Sequence, residues 1–394
     1  MAIGLINNTL LKAASSSDYP TTNALIPLNI FDKAAFDIHV PILYAFRAPM
    51  PSNEVLKDGL SKALVHYPHL AGRYVTDDQG STCITLNNAG IRVIETYVPT
   101  TLAEQLPFTP ASDLGKLLPP LDGVEELLQI QLNRYACGGV VIGLTAHHRV
   151  TDGQSITFFT IAWASLVRGL DIKTLPYHDR DAVCVPRSPP KVEFDHSSIE
   201  FRKSNTSNNS NASSIANLVV HLSADFMTKL KAQVCQGNQR FSTFECLLSH
   251  MWKKITQARG LAPDEYTQEL LSESHAHIAK AIHEAVAKVD NEYFRSFIDF
   301  GELSKGKEEE LMATAPEIGD SLYPNLEVDS WLSFHFHDLD FGGGWPCTFL
   351  PPDLPVEGLL IFVPSCKEKG AVDVFLALLH EHVELFKQIY HSLN

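Results

Sequence analysis

The run Gly138-Gly139-Val140-Val141-Ile142-Gly143-Leu144 constrains this chain most, because β-branched residues punctuated by glycine fit a buried strand. It leads into Thr145-Ala146-His147-His148-Arg149-Val150-Thr151-Asp152-Gly153 and then into an apolar stretch of helical length, Ile156 to Val167. Strand, turn and helix in that order put His148 where the chain leaves a buried strand and a side chain can face a cleft. A neutral imidazole there can take a proton from a nucleophile at neutral pH, since its ordinary pKa is about 6.5. Asp152, four residues on, is placed to orient that ring or brace the loop. His147 faces the opposite side at strand spacing and reads as a packing residue.

A bare His-x-x-x-Asp pattern is weak. With 17 histidines in the chain, about one match arises by chance. A second match exists at His221-Leu222-Ser223-Ala224-Asp225, but the residues after it read as an amphipathic helix with Ser223 as N-cap, and no glycine follows. On this motif alone, His148 reads equally well as a satisfied buried histidine beside a turn. A metal hydrolase is disfavoured, because no His-Glu-x-x-His spacing occurs and His380-Glu381-His382 breaks it, so no metal ligands are assigned.

At 394 residues the chain is too long for one compact core, which predicts two domains of about 200 residues. A net charge of −15 argues against nucleic acid and anionic membrane as partners. No apolar run is long enough to span a membrane, and the N-terminus lacks the pattern of a signal peptide. Seven cysteines without a Cys-x-x-Cys spacing fit free thiols in a reducing compartment. The expected location is the cytoplasm.

Residues 40–48 read as a buried strand and 52–67 as a helix capped by Ser52. Strands follow at 73–76 and 82–86, and Leu127–Tyr135 pairs with Val140–Ala146 around the Gly138-Gly139 turn. Between about 176 and 215 the proline- and asparagine-rich composition reads as a mobile crossover. The domain boundaries are therefore 1–180, a flexible loop 181–215, and 216–394. Ser242 starts a helix whose core face carries Leu247, Leu248, Met251, Trp252 and Ile255. Residues 331–336 and 359–364 are strand-like, and Val372–His391 reads as a terminal amphipathic helix.

His148-x-x-x-Asp152-Gly153 together with Asp340-Phe341-Gly342-Gly343-Gly344 resembles the paired signatures of the plant BAHD acyl-CoA-dependent acyltransferases. Tyr67-Pro68 with Leu70-Ala71-Gly72-Arg73, the Gly138-Gly139 turn, and Thr243-Phe244 opening a helix with Trp252 add to the likeness. The start Pro27-Leu28-Asn29-Ile30-Phe31-Asp32, and Gly343 where most of the family has tryptophan, are similar to the branch that acylates agmatine, tryptamine or putrescine.

The resemblance implies an α/β fold of the chloramphenicol acetyltransferase type: two similar domains, each a mixed sheet flanked by helices, with the active-site channel between them. It implies transfer of a hydroxycinnamoyl or benzoyl group from a CoA thioester to a small amine, with no cofactor besides acyl-CoA as co-substrate, and a monomer. His148 is then the general base and the Trp331 indole N–H the donor to the tetrahedral oxyanion. Asp152, Gly153, Asp340 and Gly342 take structural roles. Asp329, His39, Tyr44 and Thr243 are candidates for binding substrate. Asp329 shares a face with Trp331 at strand period, where its carboxylate suits the distal charge of agmatine or putrescine; Glu327 lies one pleat further out.

One departure stands out. After residues 263–268 the family normally carries a strand with Asn-x-Arg-x-Arg, a Gly-Asn loop and a further strand, whereas here Gln268 runs directly into Glu269-Leu270-Leu271-Ser272. The absent block holds the arginine that pairs with the motif aspartate, so Asp152 is expected to be a buried carboxylate without its partner. Two competing functions stay open: an O-acyltransferase acting on an alcohol, shikimate or quinate, and a catalytically impaired relative that only binds its ligands.

Overall fold

The glycine-punctuated run lies near the middle of a six-stranded sheet. The computed structural model describes residues 2–15, 23–108, 112–180, 182–202, 215–261, 265–306, 312–314 and 321–393. In chain order the first half comprises β1 (Gly4–Leu11), β2 (Leu25–Pro27), α1 (Ile30–Ala34), β3 (His39–Phe46), α2 (Asn53–His66), β4 (Arg73–Thr76), β5 (Thr82–Thr85), β6 (Ile91–Val98), β7 (Leu128–Tyr135), β8 (Val140–His147) and α3 (Gly153–Val167). The second half continues with α4 (His196–Ile199), β9 (Phe201–Arg202), β10 (Ile215–Leu222), α5 (Ala224–Val234), α6 (Thr243–Arg259), α7 (Glu265–Ser272), α8 (His275–Val286) and α9 (Asn291–Leu303). It ends with β11 (Met312–Ala313), β12 (Glu327–Ser330), β13 (Thr348–Leu350), β14 (Leu359–Pro364), β15 (Val372–Leu379) and α10 (His380–Ile389).

The larger sheet has the order β1-β6-β7-β8-β3-β13, and the smaller one β10-β15-β14-β12. Every residue of β8 is buried, because β7 and β3 flank it and helices cover it. Its sequence is therefore mostly apolar rather than alternating, with Thr145 and His147 as buried polar exceptions. Gly138, at φ +83, makes the turn from β7 that an L side chain resists. Helices α2 and α3 cover one face of this sheet. They approach so closely that a Cβ on Gly59 would lie 2.4 Å from Val167 Cγ2, and the Trp163 indole donates to the Leu56 carbonyl at 2.8 Å.

The smaller sheet serves two cores at once. Ile361, Val363, Phe375 and Ala377 on β14 and β15 face the core of the larger sheet, while Leu360, Phe362, Val374, Leu376 and Leu378 face the core made with α5, α6, α8 and α10. That alternation is the strand period expressed across a two-sheet sandwich. Both sheets are mixed, since β6 pairs parallel to β7 and β12 parallel to β14, with the remaining pairings antiparallel. No helix among the described residues is long and apolar enough to cross a membrane.

Three expectations of local structure are corrected here. Val372–Leu379 is strand, not helix, and lies between β10 and β14; only from His380 does the chain turn helical. A strand buried on both faces loses its alternation and is easily read as part of the helix that follows. Residues 331–336 form a turn rather than a strand, although the Trp331 N–H still bonds the Phe362 carbonyl at 2.8 Å, one residue past β12. Trp252 is 36% exposed, whereas Leu247, Met251 and Ile255 are fully buried.

Residues 216–394 contribute to both cores. β13 pairs with β3, Leu350 opposite Leu43, and Phe334, Phe336, Phe341 and Phe349 enter the first core. Described residues of the crossover make specific contacts with α9. Buried Asp299 on α9 accepts the backbone N–H groups of Arg187 and Lys191 at 2.7 and 2.8 Å, and His196 is enclosed between Glu200 and Ser296. Residues 181 and 203–214 of that loop lie outside the described residues.

Candidate active site

Strand parity decides what faces the cleft. Leu144 and Ala146 of β8 and Val40 and Ile42 of β3 point to one side and give a cavity of about 280 Å³ its apolar floor, with Ile156 and Phe334 beside them. His148 continues that parity one residue past β8, held by its backbone N–H on the Ile38 carbonyl at 2.9 Å. Across the cleft stand Asp329 and Ser330 at the end of β12 and Trp331 just after it. The cleft thus lies between the two sheets and joins His148, Asp329 and Trp331.

The His148 ring is half-buried and packs edge-on against Phe36, with centroids 5.8 Å apart. Its Nδ1 is enclosed and has no hydrogen-bond partner among the described residues. Loss of solvation raises the Asp329 carboxyl above the usual carboxylate range, and the charge of His148 partly opposes the rise. Asp329 retains an exposed surface, so this desolvation belongs to its place in the concave wall and not to a core position. Desolvation raises Glu327 as well, and repulsion from Asp329 adds to it.

Trp331 stacks on Phe334 at 5.1 Å and 17°, with Phe349 edge-on at 6.0 Å. Gly153 is what admits Phe334: a Cβ there would lie 2.8 Å from the Phe334 ring. Asp152 is exposed and caps α3, accepting the Ser155 N–H at 2.7 Å. This corrects the expectation of a buried carboxylate without a partner, because a helix N-terminus supplies both a donor and a favourable dipole.

The Asp340-Phe341-Gly342-Gly343-Gly344 loop lies at the other end of α3, beside Arg168, a helix length of about 20 Å away. Asp340 accepts the N–H groups of Gly342 and Gly344 at 2.7 and 2.8 Å, and both glycines have positive φ. Phe341 plugs between Phe46 and Trp163. A Cβ at Gly343 would lie 2.0 Å from the Pro49 carbonyl oxygen, so no larger residue fits this backbone. These contacts hold the loop against the end of α3 and the first core.

Three candidates do not line the cleft. His39 pairs across from His147 on the opposite side of the sheet from His148; its Nε2 meets the Glu126 carbonyl at 2.9 Å and its ring the His147 ring at 4.9 Å. Tyr44 has the right parity, but is 1% exposed beneath Phe336 and Phe349. Thr243 opens α6 behind the capping box of Ser242 and Glu245. His147 packs as expected, with Tyr74 at 2.9 Å and Asp37 at 3.3 Å; burial, then the neighbouring His39, pushes its pKa down to about 4.

Sequence reasoning missed the Gln154–Ser333 hydrogen bond, 2.9 Å, which ties the start of α3 to the turn after β12 at the rim of the cleft. The position of Gln154, one residue past the motif glycine, was the available signal.

A model of the Transferase family matches residues 3–268 and 264–393, two segments that meet at the predicted gap. Tryptamine hydroxycinnamoyltransferase 2 of Oryza sativa subsp. japonica is 46% identical over 93% of this chain and 93% of its own length. Agmatine coumaroyltransferase-1 of Hordeum vulgare is 38% identical over 95% and 94%. The alignment with tryptamine benzoyltransferase 1 of Oryza sativa subsp. japonica, at 41% identity, covers 99% of this chain and 98% of that protein, and at 437 positions it is longer than this chain. Vinorine synthase shares the fold, with a TM-score of 0.71 at 17% identity over 98% of this chain and 96% of that structure.

Proposed function

This chain belongs to the Transferase family, that of the BAHD acyltransferases, and from that premise we propose that it moves a hydroxycinnamoyl or benzoyl group from CoA to a small amine. The observation that carries the reading is the convergence of His148, Asp329 and Trp331 on one cleft with an apolar floor. The floor suits an aromatic acyl group. The neutral amine nitrogen adds to the thioester carbonyl while His148 takes its proton; the adduct expels the CoA thiolate, which regains that proton, leaving an amide. The Trp331 indole N–H is the donor assigned to the oxyanion, a role worth about 3–4 kcal/mol in other acyl-transfer sites. No cofactor enters this scheme beyond the acyl-CoA co-substrate.

Asp329 favours amines with a second, distal cation, such as agmatine or putrescine, over neutral alcohols, which offer it no charge, and over shikimate or quinate, whose carboxylates it repels. Asp152, satisfied as a helix cap, supports an active enzyme over a relative that only binds. The block proposed to be absent after Gln268 fits the meeting of the two matched segments at 264–268 and the unpaired outer edge of β12 among the described residues. The test is turnover of coumaroyl-CoA against agmatine, putrescine, tryptamine, tyramine and shikimate. Asp329→Thr should raise KM for the first two by about 5–150-fold and leave tryptamine and tyramine nearly unchanged. A uniform loss across the amines would make Asp329 structural, and an ester from shikimate without amide would favour the O-acyl reading.

A further inference from the structure

Strand β12 pairs with β14 along one edge only, Glu327 opposite Leu359 to Ser330 opposite Phe362. Nothing among the described residues pairs with its other edge. Glu327, Asp329 and Ser330 are exposed along that edge, and Ser333 and Asp152 are exposed at the same rim. The wall that faces His148 therefore carries Asp329, Ser330 and Ser333 beside Trp331, and its rim is polar and exposed although the floor is apolar. A transferase protects its thioester from hydrolysis by closing water out of the site, whereas here exposed polar side chains bring solvent to the rim of the cleft that holds a half-buried His148.

We propose that, when no amine is bound, the same site hydrolyses its acyl-CoA. Water takes the acceptor's place, its oxygen adds to the thioester carbonyl, and His148 receives one of its protons. The tetrahedral adduct expels the CoA thiolate, which regains that proton, so that acyl-CoA and water become free carboxylic acid and CoA with no other reactant. Asp329, on the wall opposite His148, is the acceptor available to hold the water by its second hydrogen.

The inference rests on the acyl-CoA reading above, and the experiment separates the two. Full-length protein is incubated with coumaroyl-CoA alone and with added agmatine, and free acid, amide and CoA are separated by chromatography. Without amine, acid and CoA should appear in equal amounts; with agmatine, amide should replace acid. His148→Ala and the closer-shaped His148→Gln should both lower acid formation by about 100-fold or more. Amide with agmatine but no acid above the protein-free rate overturns the hydrolysis and leaves the transfer reading standing. Acid without amide from any amine keeps the hydrolysis and overturns the amine reading. Acid formation unchanged in both His148 variants overturns the proposed chemistry, and neither product overturns both.

Discussion

The strand that carries Asp329 depends on a buried ion pair, and breaking it should be felt in both stability and acceptor binding. Arg259, at the end of α6, donates to Glu357 Oε1 through Nε at 3.0 Å and Nη2 at 2.8 Å. Its Nη1 holds the carbonyls of Pro324 and Asn325 at 2.9 and 3.0 Å, immediately ahead of β12. Ser321 donates to the other Glu357 oxygen at 2.7 Å, and the two side chains are 0% and 1% exposed. Arg259→Met leaves a buried carboxylate with one hydroxyl donor and two carbonyls without theirs. Removing one partner of such a pair costs about 3–5 kcal/mol, a large share of the roughly 5–15 kcal/mol that holds a typical domain. The double variant Arg259→Met/Glu357→Leu removes the orphaned charge and should cost less than the single one, a coupling of about 1–3 kcal/mol. Urea unfolding of the wild type and the three variants measures the cycle, and KM for agmatine reports whether β12 has shifted. A single-variant cost under about 1 kcal/mol, or a double variant worse than Arg259→Met, would refute the idea that this pair positions the strand.

His148→Ala should lower kcat for amide formation by about 10²–10⁴-fold, while His147→Ala, on the other side of the sheet, is milder; equal losses would indicate a folding effect instead. Stability should fall on acidification, because His250 and His275 stack at 5.5 Å and burial, the largest cause for each, pushes both pKa values down to about 4. The unfolded rings titrate near 6.5, so from about pH 6.5 down toward 4 the unfolded chain binds more protons and each ring removes up to about 1.4 kcal/mol per pH unit. His275→Gln should flatten the dependence of unfolding free energy on pH by about one proton; an unchanged slope would show that these rings are not linked to folding. Inserting a family-like block between Gln268 and Glu269 should raise the melting temperature and turnover together, and an unchanged melting midpoint would count against a missing pair of strands.

What the sequence revealed and what it hid follow from how locally each feature is encoded. The strand, turn and helix around His148 were legible because β-branching, a glycine turn and helical spacing all lie within some thirty residues and agree. The caps at Ser52, Ser223 and Ser242 were legible for the same reason. β15 was not, because a strand buried on both faces presents an apolar run broken only by Asp373, and α10 follows with no turn residues between. The fate of residues 331–356 was hidden for a different reason. Their phenylalanines declare burial but not which core they enter, and the pairing of Leu350 with Leu43 spans most of the chain. His39 and Tyr44 failed as site candidates through geometry: one has the wrong parity and the other lies too deep.

The proposed absence of a block after Gln268 would leave most of the cleft together. The proposed base and its apolar floor come from β3, β8 and the start of α3, where the Asp152 cap and the Gly153–Phe334 contact are complete without any residue near 268. Trp331 is fixed by its backbone bond to Phe362 on β14 and by its stack on Phe334. Only the acceptor side, the outer edge of β12 with Asp329 and Glu327, borders the region where a further strand would lie. A change there leaves the machinery of thioester attack in place and alters what reaches it. Its effects should therefore fall on acceptor KM and on the split between amide and free acid, with the response of transfer to His148 substitution unchanged.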